Sequence, residues 1–166
     1  MGRVWKYGDD VNTDVIFPGK YTYKLMDERE MASHALEDLD PTFAKEVREG
    51  DVIVAGKNFG YGSSREQAVA CLKAAGVKAI IARSFARIYY RNAINLGLPA
   101  IEIEDVDSFD KGDEVELDLE RGVIKNLTKN FEVTFSPFPP YVMEILNAGG
   151  LLEYVKRNIS RESGEE

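Results

Sequence analysis

A glycine-rich loop with two serines and an arginine is the part of the sequence whose residue types best suit chemistry. It runs Gly60-Tyr61-Gly62-Ser63-Ser64-Arg65-Glu66 and follows a short apolar run, Val52-Ile53-Val54-Ala55. Glycines let the backbone approach a ligand closely. A serine hydroxyl can act as a base once its surroundings ease the loss of its proton, and the planar arginine fork suits a carboxylate. The loop therefore predicts a site for a small anionic substrate.

The same residues also match the pattern of two helix caps. Ser63 with Glu66, and Ser64 with Gln67, each have the spacing of a capping box, in which two side chains satisfy backbone amides at a helix start. The local pattern leaves both interpretations open. They are also compatible, because amides that satisfy a capping hydroxyl would stabilise a serine alkoxide as well.

The segments around this loop predict a parallel α/β layer. A buried strand over 52–55 leads into the loop, and a helix over about 64–75 follows it. A strand at 79–82, a helix over 84–95 capped at its first residue and a strand at 100–103 continue the alternation. Ligands bind at the carboxyl ends of the strands in open α/β sheets, so this order places the loop at a binding edge.

The flanking segments predict further β-structure. Residues 2–7 favour a strand, and alternating runs at 114–119, 122–125 and 131–135 predict an antiparallel meander. A C-terminal helix pair is expected to break at Gly149-Gly150. The predicted fold class is α/β, with a parallel β-α-β-α-β core and an added antiparallel β layer.

Size and composition fit one soluble domain. The chain has 166 residues, 44% of them hydrophobic, and a formal net charge of −8, which is enough for one buried core. We predict a single domain over 1–159 and a disordered polar tail over 160–166. The acidic balance argues against a nucleic-acid binder. No apolar run suits a membrane span or a signal peptide, so we expect a cytoplasmic protein.

One cysteine and one histidine restrict the chemistry further. Cys71 has no internal disulfide partner and cannot by itself supply the thiolates of an iron–sulfur cluster, so we expect a buried core thiol. Having only His34 excludes most zinc sites and most Ser-His-Asp arrangements. We therefore expect no metal site in this chain. Acid–base chemistry must use other groups, or a partner must provide them.

Three motifs in matching order and spacing make the chain resemble the swivelling domain of the aconitase superfamily, which includes the small subunits of isopropylmalate dehydratases. The loop at 60–66 resembles the family's serine signature. Residues 9–16, Asp-Asp-Val-Asn-Thr-Asp-Val-Ile, resemble its Thr-Asp opening, and residues 84–95 resemble its second-helix signature. The resemblance runs from about residue 3 to residue 154 and implies a three-layer β/β/α fold.

The resemblance also implies a role for each motif residue. Ser63 corresponds to the base that removes the substrate's α-proton, and Ser64 and Arg65 correspond to groups that bind substrate carboxylates. Asp14 corresponds to the active-site aspartate and is counted with the substrate-binding residues. A large partner subunit would carry a [4Fe-4S] cluster that acts as a Lewis acid on the substrate hydroxyl. The implied activity is that of a hydro-lyase of the isopropylmalate dehydratase type, which isomerises 2- and 3-alkylmalates in leucine biosynthesis and is active only with the large subunit.

Two departures from the family pattern leave the substrate's side group open. Phe17 stands three residues after Asp14, where family members that act on citrate have a serine, so a third carboxylate is disfavoured. The specificity positions implied by the resemblance are Tyr21, Thr22, Tyr23 and Lys24. Tyr23 matches neither the small apolar residue of isopropylmalate enzymes nor the arginine of homoaconitases. Small subunits of homoaconitase or of a dimethylmalate or methylmalate dehydratase remain alternatives, as does a non-catalytic regulatory domain that binds an anion.

Overall fold

Residues 1–162, the part of the chain that the computed structural model describes, form seven strands and seven helices. The strands are β1 Gly2–Lys6, β2 Val52–Ala55, β3 Ala79–Ala82, β4 Ala100–Glu102, β5 Glu114–Asp118, β6 Val123–Asn126 and β7 Phe131–Thr134. The helices are α1 Thr13–Ile16, α2 Glu28–Ser33, α3 Phe43–Glu46, α4 Gln67–Ala74, α5 Arg87–Asn95, α6 Pro140–Ala148 and α7 Leu151–Glu162. A short 3-10 helix, Gly19–Tyr21, lies between α1 and α2.

The strands form one sheet in the order β4-β3-β2-β1-β5-β6-β7. Strands β1 to β4 pair in parallel, and β5 joins β1 in antiparallel fashion through the pairing of Gly2 with Val115. Strands β5, β6 and β7 form an antiparallel meander. The predicted parallel core and antiparallel layer are confirmed. The two layers are continuous, because β1 belongs to both halves of the sheet.

Alternate side chains of the parallel strands face two different cores. Trp5 and Ile53 belong to a cluster that includes residues of α4 and α5. On the other face, Val54 packs in a cluster with Val115 and Ile124 of the antiparallel half. Because successive strand side chains point to opposite faces, a strand buried on both faces has a continuous apolar run. The helices, the parallel half and the antiparallel half are therefore stacked as three layers, α/β/β.

Helices α4 and α5 both begin later than the sequence predicted. The residue before α4 is Glu66, and no side chain caps that helix start. Neither capping box forms, so the interpretation of Ser63 and Ser64 as caps is wrong. Ser84 does not cap α5 either; its hydroxyl accepts a hydrogen bond from the backbone amide of Asn58 at 2.8 Å and so ties together the segments that follow β2 and β3.

The C-terminal helix pair breaks at the predicted glycines. Gly149 has a φ of +92° at the end of α6, a left-handed conformation that glycine adopts without strain. Helix α7 then extends to residue 162, so it overlaps the start of the segment 160–166 that the sequence predicted to be a disordered tail. Residues 163–166 lie outside the described residues. Within residues 1–162, no helix combines the length and apolarity that a membrane span requires.

Asp51 is a buried carboxylate that links β1 to the start of β2. It accepts hydrogen bonds from the Trp5 indole at 2.9 Å and from the backbone amides of Arg3 at 3.0 Å and Arg48 at 2.9 Å. Burial alone would raise the pKa of Asp51, but these donors outweigh burial and hold the pKa below its ordinary value. The ionised carboxylate therefore stabilises the fold above the unfolded-state pKa, and this contribution is lost as the pH falls through the folded-state pKa.

We expect Asp51→Asn to lower the free energy of unfolding at neutral pH by about 2–4 kcal/mol, because the amide NH₂ group would face donors that need an acceptor. The deficit relative to wild type should begin to shrink below about pH 4, the ordinary pKa of an aspartate in the unfolded chain, and should disappear as the pH falls through the lower folded-state pKa of Asp51. Urea unfolding followed by circular dichroism over a pH series measures both effects. Asp38→Asn, at an exposed position, is the matched control. A deficit that does not change with pH would contradict the assignment.

Candidate active site

The Ser63-Ser64-Arg65 loop follows β2 and meets the segment that follows β1. The Gly60 amide donates to the Val11 carbonyl at 2.7 Å, and the Thr13 amide donates to the Tyr61 carbonyl at 2.9 Å. Because β1 and β2 are parallel neighbours, their carboxyl ends lie at the same edge of the sheet. The serine loop and the Thr-Asp segment are thereby joined along their backbones.

Gly60 allows α5 to pack directly against this loop. Its φ is +84°, and a Cβ atom at this position would lie 2.1 Å from Cγ of Tyr89. Tyr89 is buried, and its hydroxyl donates to the Ala68 carbonyl of α4 at 2.8 Å. The first turn of α5 therefore fixes the position of the loop, which gives the second-helix motif a structural role at the site.

Arg65 is held by groups from two other segments. Its Nη1 donates to Thr22 Oγ1 at 3.2 Å, and its Nη2 lies 3.4 Å from both Thr13 Oγ1 and Asp14 Oδ1. The arginine side chain is only 12% exposed, and its Nε is buried without a hydrogen-bond partner among the described residues. A hydrogen bond at 3.4 Å is long, so a carboxylate ligand could replace the one to Thr13 with a shorter, charge-assisted bond.

Asp14 connects this arginine to the turn that follows α1. Its side chain is 72% exposed, and Oδ1 accepts the Gly19 amide at 2.7 Å while facing Arg65. One carboxylate oxygen thus contacts both the backbone of the turn and the guanidinium. Asp14 and Arg65 are 51 residues apart in the sequence, and the fold brings them into contact.

Ser63 and Ser64 lie on a ridge between two surface depressions. The larger depression, of about 680 Å³, extends toward Asp14, and the smaller one, of about 320 Å³, extends toward Asn92 of α5. Both hydroxyls are exposed. Ser64 Oγ accepts a hydrogen bond from Asn92 Nδ2 at 3.4 Å, whereas the Ser63 hydroxyl makes no hydrogen bond within the described part of the chain. The ridge therefore presents two hydroxyls and a cation to the same open surface.

Comparison with known proteins identifies the family. The sequence profile of the aconitase C-terminal domain family matches residues 14–106. The 3-isopropylmalate dehydratase small subunit 1 of Thermotoga maritima is 55% identical over 157 residues, which cover 95% of each chain. Small subunit 2 of Archaeoglobus fulgidus is 55% identical over 158 residues, again 95% of each chain. This chain belongs to the 3-isopropylmalate dehydratase small-subunit family.

A solved structure from the small-subunit family has the same fold. The solved structure of 3-isopropylmalate dehydratase from Methanocaldococcus jannaschii superimposes on this chain with a TM-score of 0.93 at 49% identity. The superposition covers 99% of this chain and 98% of the Methanocaldococcus jannaschii chain. The predicted β/β/α architecture and the predicted family are therefore confirmed over almost the whole length.

The predicted specificity positions divide into two groups. Thr22 and Tyr23 line the larger depression, and Tyr23 is 98% exposed there. Tyr21 and Lys24 do not line it; the ammonium of Lys24 instead lies 5.4 Å from the centre of the Tyr21 ring. Only Thr22 and Tyr23, in the middle of this loop, therefore face the surface that also carries Ser63, Ser64 and Arg65.

Tyr21 and Phe17 belong to the packing beneath the site. The Tyr21 ring stacks on His34 at a centroid distance of 4.1 Å, and its hydroxyl donates to Glu37 Oε1 at 2.9 Å. Phe17 is buried in the core on the helical side of the sheet, with its ring 5.9 Å from that of Tyr21. Phe17 therefore has no surface to offer a substrate, and its effect on specificity can only be indirect.

Four residues at the site were not assigned to it from the sequence: Thr13, Gly19, Gln67 and Asn92. Thr13 is buried and lies beside both Arg65 and the loop glycine Gly62. Its place within the Thr-Asp motif was the available signal. Asn92 likewise lies within the second-helix motif at 84–95, whereas Gly19 and Gln67 had no such signal, because their contacts depend on how distant segments pack.

The described residues contain no group of three or more His, Cys, Asp or Glu side chains arranged to hold a metal ion. Cys71, the only cysteine, is buried in α4, as predicted for a core thiol. Burial raises the pKa of this thiol well above its ordinary value. Cys71 is therefore a packing residue of the domain.

Proposed function

We propose that this chain is the small subunit of a 3-isopropylmalate dehydratase-type hydro-lyase, which isomerises 2- and 3-alkylmalates by dehydration and rehydration. The observation that carries the proposal is the convergence of Ser63, Ser64, Arg65 and Asp14 on one open surface. The names of relatives at 55% identity support the reaction. The name 3-isopropylmalate dehydratase, which these relatives share, favours an alkylmalate dehydratase over a homoaconitase, a methylated-malate dehydratase or a regulatory domain.

Ser63 is the base in this proposal. Its alkoxide takes the proton from the carbon next to a substrate carboxylate, and hydroxide leaves from the adjacent carbon to form the unsaturated diacid. The Ser63 hydroxyl is exposed and makes no hydrogen bond within the described part of the chain, so it is available to the substrate. The nearby guanidinium of Arg65 favours the alkoxide by its positive charge.

Arg65 and Ser64 bind substrate carboxylates. The guanidinium is shielded from solvent on most sides, and a carboxylate could replace its long hydrogen bond to Thr13. Asp14 is itself negatively charged, so direct contact with a second carboxylate would be repulsive. We assign Asp14 to holding Arg65 and the Gly19 turn in place.

A large partner subunit completes the site. Both serines are exposed in this chain, and excluding water from them would strengthen the attraction between a serine alkoxide and the Arg65 guanidinium. The partner would cover the ridge, protonate the leaving hydroxyl and carry the [4Fe-4S] cluster. That cluster, when bound in the partner, supplies a Lewis acid for the substrate hydroxyl. The word "small subunit" in the relatives' names supports this division of labour.

Reconstitution tests the proposal. We expect no turnover of 3-isopropylmalate by this chain alone or by a large subunit alone, and turnover when the two are co-expressed anaerobically. The unsaturated intermediate is followed by its ultraviolet absorbance. Homocitrate, 2,3-dimethylmalate and citrate in parallel assays test the substrate, and we expect 3-isopropylmalate to have the highest kcat/KM. Turnover by this chain alone would contradict the division of labour, and a complex inactive on every alkylmalate would contradict the function.

A further inference from the structure

We infer that Thr22 is a positioning residue for Arg65, so that the loop carrying Thr22 sets the affinity of the arginine for a substrate carboxylate. The inference rests on the proposed function and adds to it a residue that does not itself touch the reacting atoms. Thr22 lies in the segment between the 3-10 helix Gly19–Tyr21 and α2, far in sequence from Arg65.

Thr22 is bound to the serine loop at two points. Its hydroxyl oxygen accepts from Arg65 Nη1 at 3.2 Å, and its backbone carbonyl accepts from Gln67 Nε2 at 3.2 Å. Arg65 and Gln67 flank the start of α4 and are two residues apart. The loop is therefore held by one bond to its side chain and one to its backbone, and the side-chain bond ends on the guanidinium.

The turn before Thr22 contacts the same guanidinium. A Cβ atom at Gly19 would lie 3.1 Å from Arg65 Nη1 and 2.8 Å from Asp14 Oδ1. The Gly19 amide donates to that same Asp14 oxygen at 2.7 Å. The guanidinium thus fits closely between Thr22, Asp14 and the backbone at Gly19. A shift of the loop would have to move the arginine as well.

The chemistry of Thr22 suits a positioning role. A hydroxyl is a neutral acceptor, so it fixes the plane of the guanidinium without neutralising its charge. A second carboxylate in the same place would compete with the substrate for the cation. The charge of Arg65 therefore remains available to an incoming carboxylate while its direction is set by the loop.

Thr22→Val tests this role in the reconstituted complex, because valine keeps the shape of threonine and removes the hydroxyl. We expect KM for the alkylmalate to rise about tenfold, the usual cost of one hydrogen bond to a charged group, with kcat changed less than about twofold because Ser63 is untouched. Thr22→Ser should restore the wild-type KM. Thr134→Val, at an exposed position of β7, is the matched control. A wild-type KM in Thr22→Val would overturn the inference.

A double-mutant cycle separates positioning of Arg65 from simple support of the loop. If Thr22 acts through the guanidinium, Thr22→Val should add less than about twofold to KM in an Arg65→Lys background. Fully additive effects would overturn the inference. Binding of 2-isopropylsuccinate, a dicarboxylate without the reacting hydroxyl, is measured by calorimetry on the same four complexes. If the wild-type complex shows no turnover but the binding measurements still give the expected coupling between Thr22 and Arg65, the proposed function is contradicted and the role of Thr22 is not.

Discussion

Ser63→Ala is expected to lower kcat of the reconstituted enzyme by about 10³-fold, within the usual contribution of a general base. The substitution removes one oxygen from an exposed position of the ridge that makes no hydrogen bond within the described residues. Neither the stability of the fold nor the affinity of Arg65 for a carboxylate should therefore change. Steady-state kinetics give kcat, and size-exclusion chromatography with calorimetry tests assembly and ligand binding.

Ser64→Ala is the matched control for the base. Its hydroxyl accepts from Asn92 at 3.4 Å, and we assign it to substrate binding, so its loss should act mainly on KM. A variant Ser63→Ala with wild-type kcat would exclude Ser63 as the base. A large loss of kcat in Ser64→Ala with little effect of Ser63→Ala would mean that the two roles are exchanged.

Arg65→Lys is expected to raise KM for the alkylmalate by about a hundredfold, because lysine keeps the charge but loses the planar fork that binds a carboxylate through two bonds. Lysine also cannot reproduce the simultaneous contacts to Thr22 and Asp14 that orient the guanidinium. Initial rates over a wide range of substrate concentration measure KM, and calorimetry with 2-isopropylsuccinate measures binding without turnover.

Arg121→Lys, at an exposed position in the turn between β5 and β6, controls for the exchange of one cation for another. Unchanged KM in Arg65→Lys would show that positive charge alone suffices, and the geometric argument for Arg65 would be wrong. If kcat fell while KM stayed at the wild-type value, the arginine would stabilise the alkoxide of Ser63 without binding the substrate.

Together these variants separate two functions of one short loop. Ser63 should affect the chemical step, whereas Arg65 and its positioning residue Thr22 should affect binding. The separation follows from geometry. The Ser63 hydroxyl makes no hydrogen bond within the described residues, and the guanidinium is held by groups from the segment after β1.

Much of the fold is predictable from local sequence. The apolar runs at β2, β3 and β4 are continuous because these strands are buried on both faces, and the intervening helices follow from their spacing. Glycines mark turns and helix ends because they adopt positive φ without strain, as Gly149 does. The capping boxes failed as a prediction because α4 begins only at Gln67, so neither serine stands at the helix start. The side-chain amide of Gln67 instead donates to the Thr22 carbonyl, a contact that no local pattern reveals.

The residues able to do the chemistry are determined by the sequence itself: a serine pair and an arginine on a glycine-rich loop after a buried strand, in a chain with one cysteine and one histidine. Which residues meet at that loop was decided only by the tertiary structure. Parallel pairing of β1 with β2 brings Asp14 and Thr22 to Arg65 across more than 40 residues of chain. Tyr21 is partly buried and stacks on His34, and it does not line the depression that Thr22 and Tyr23 line.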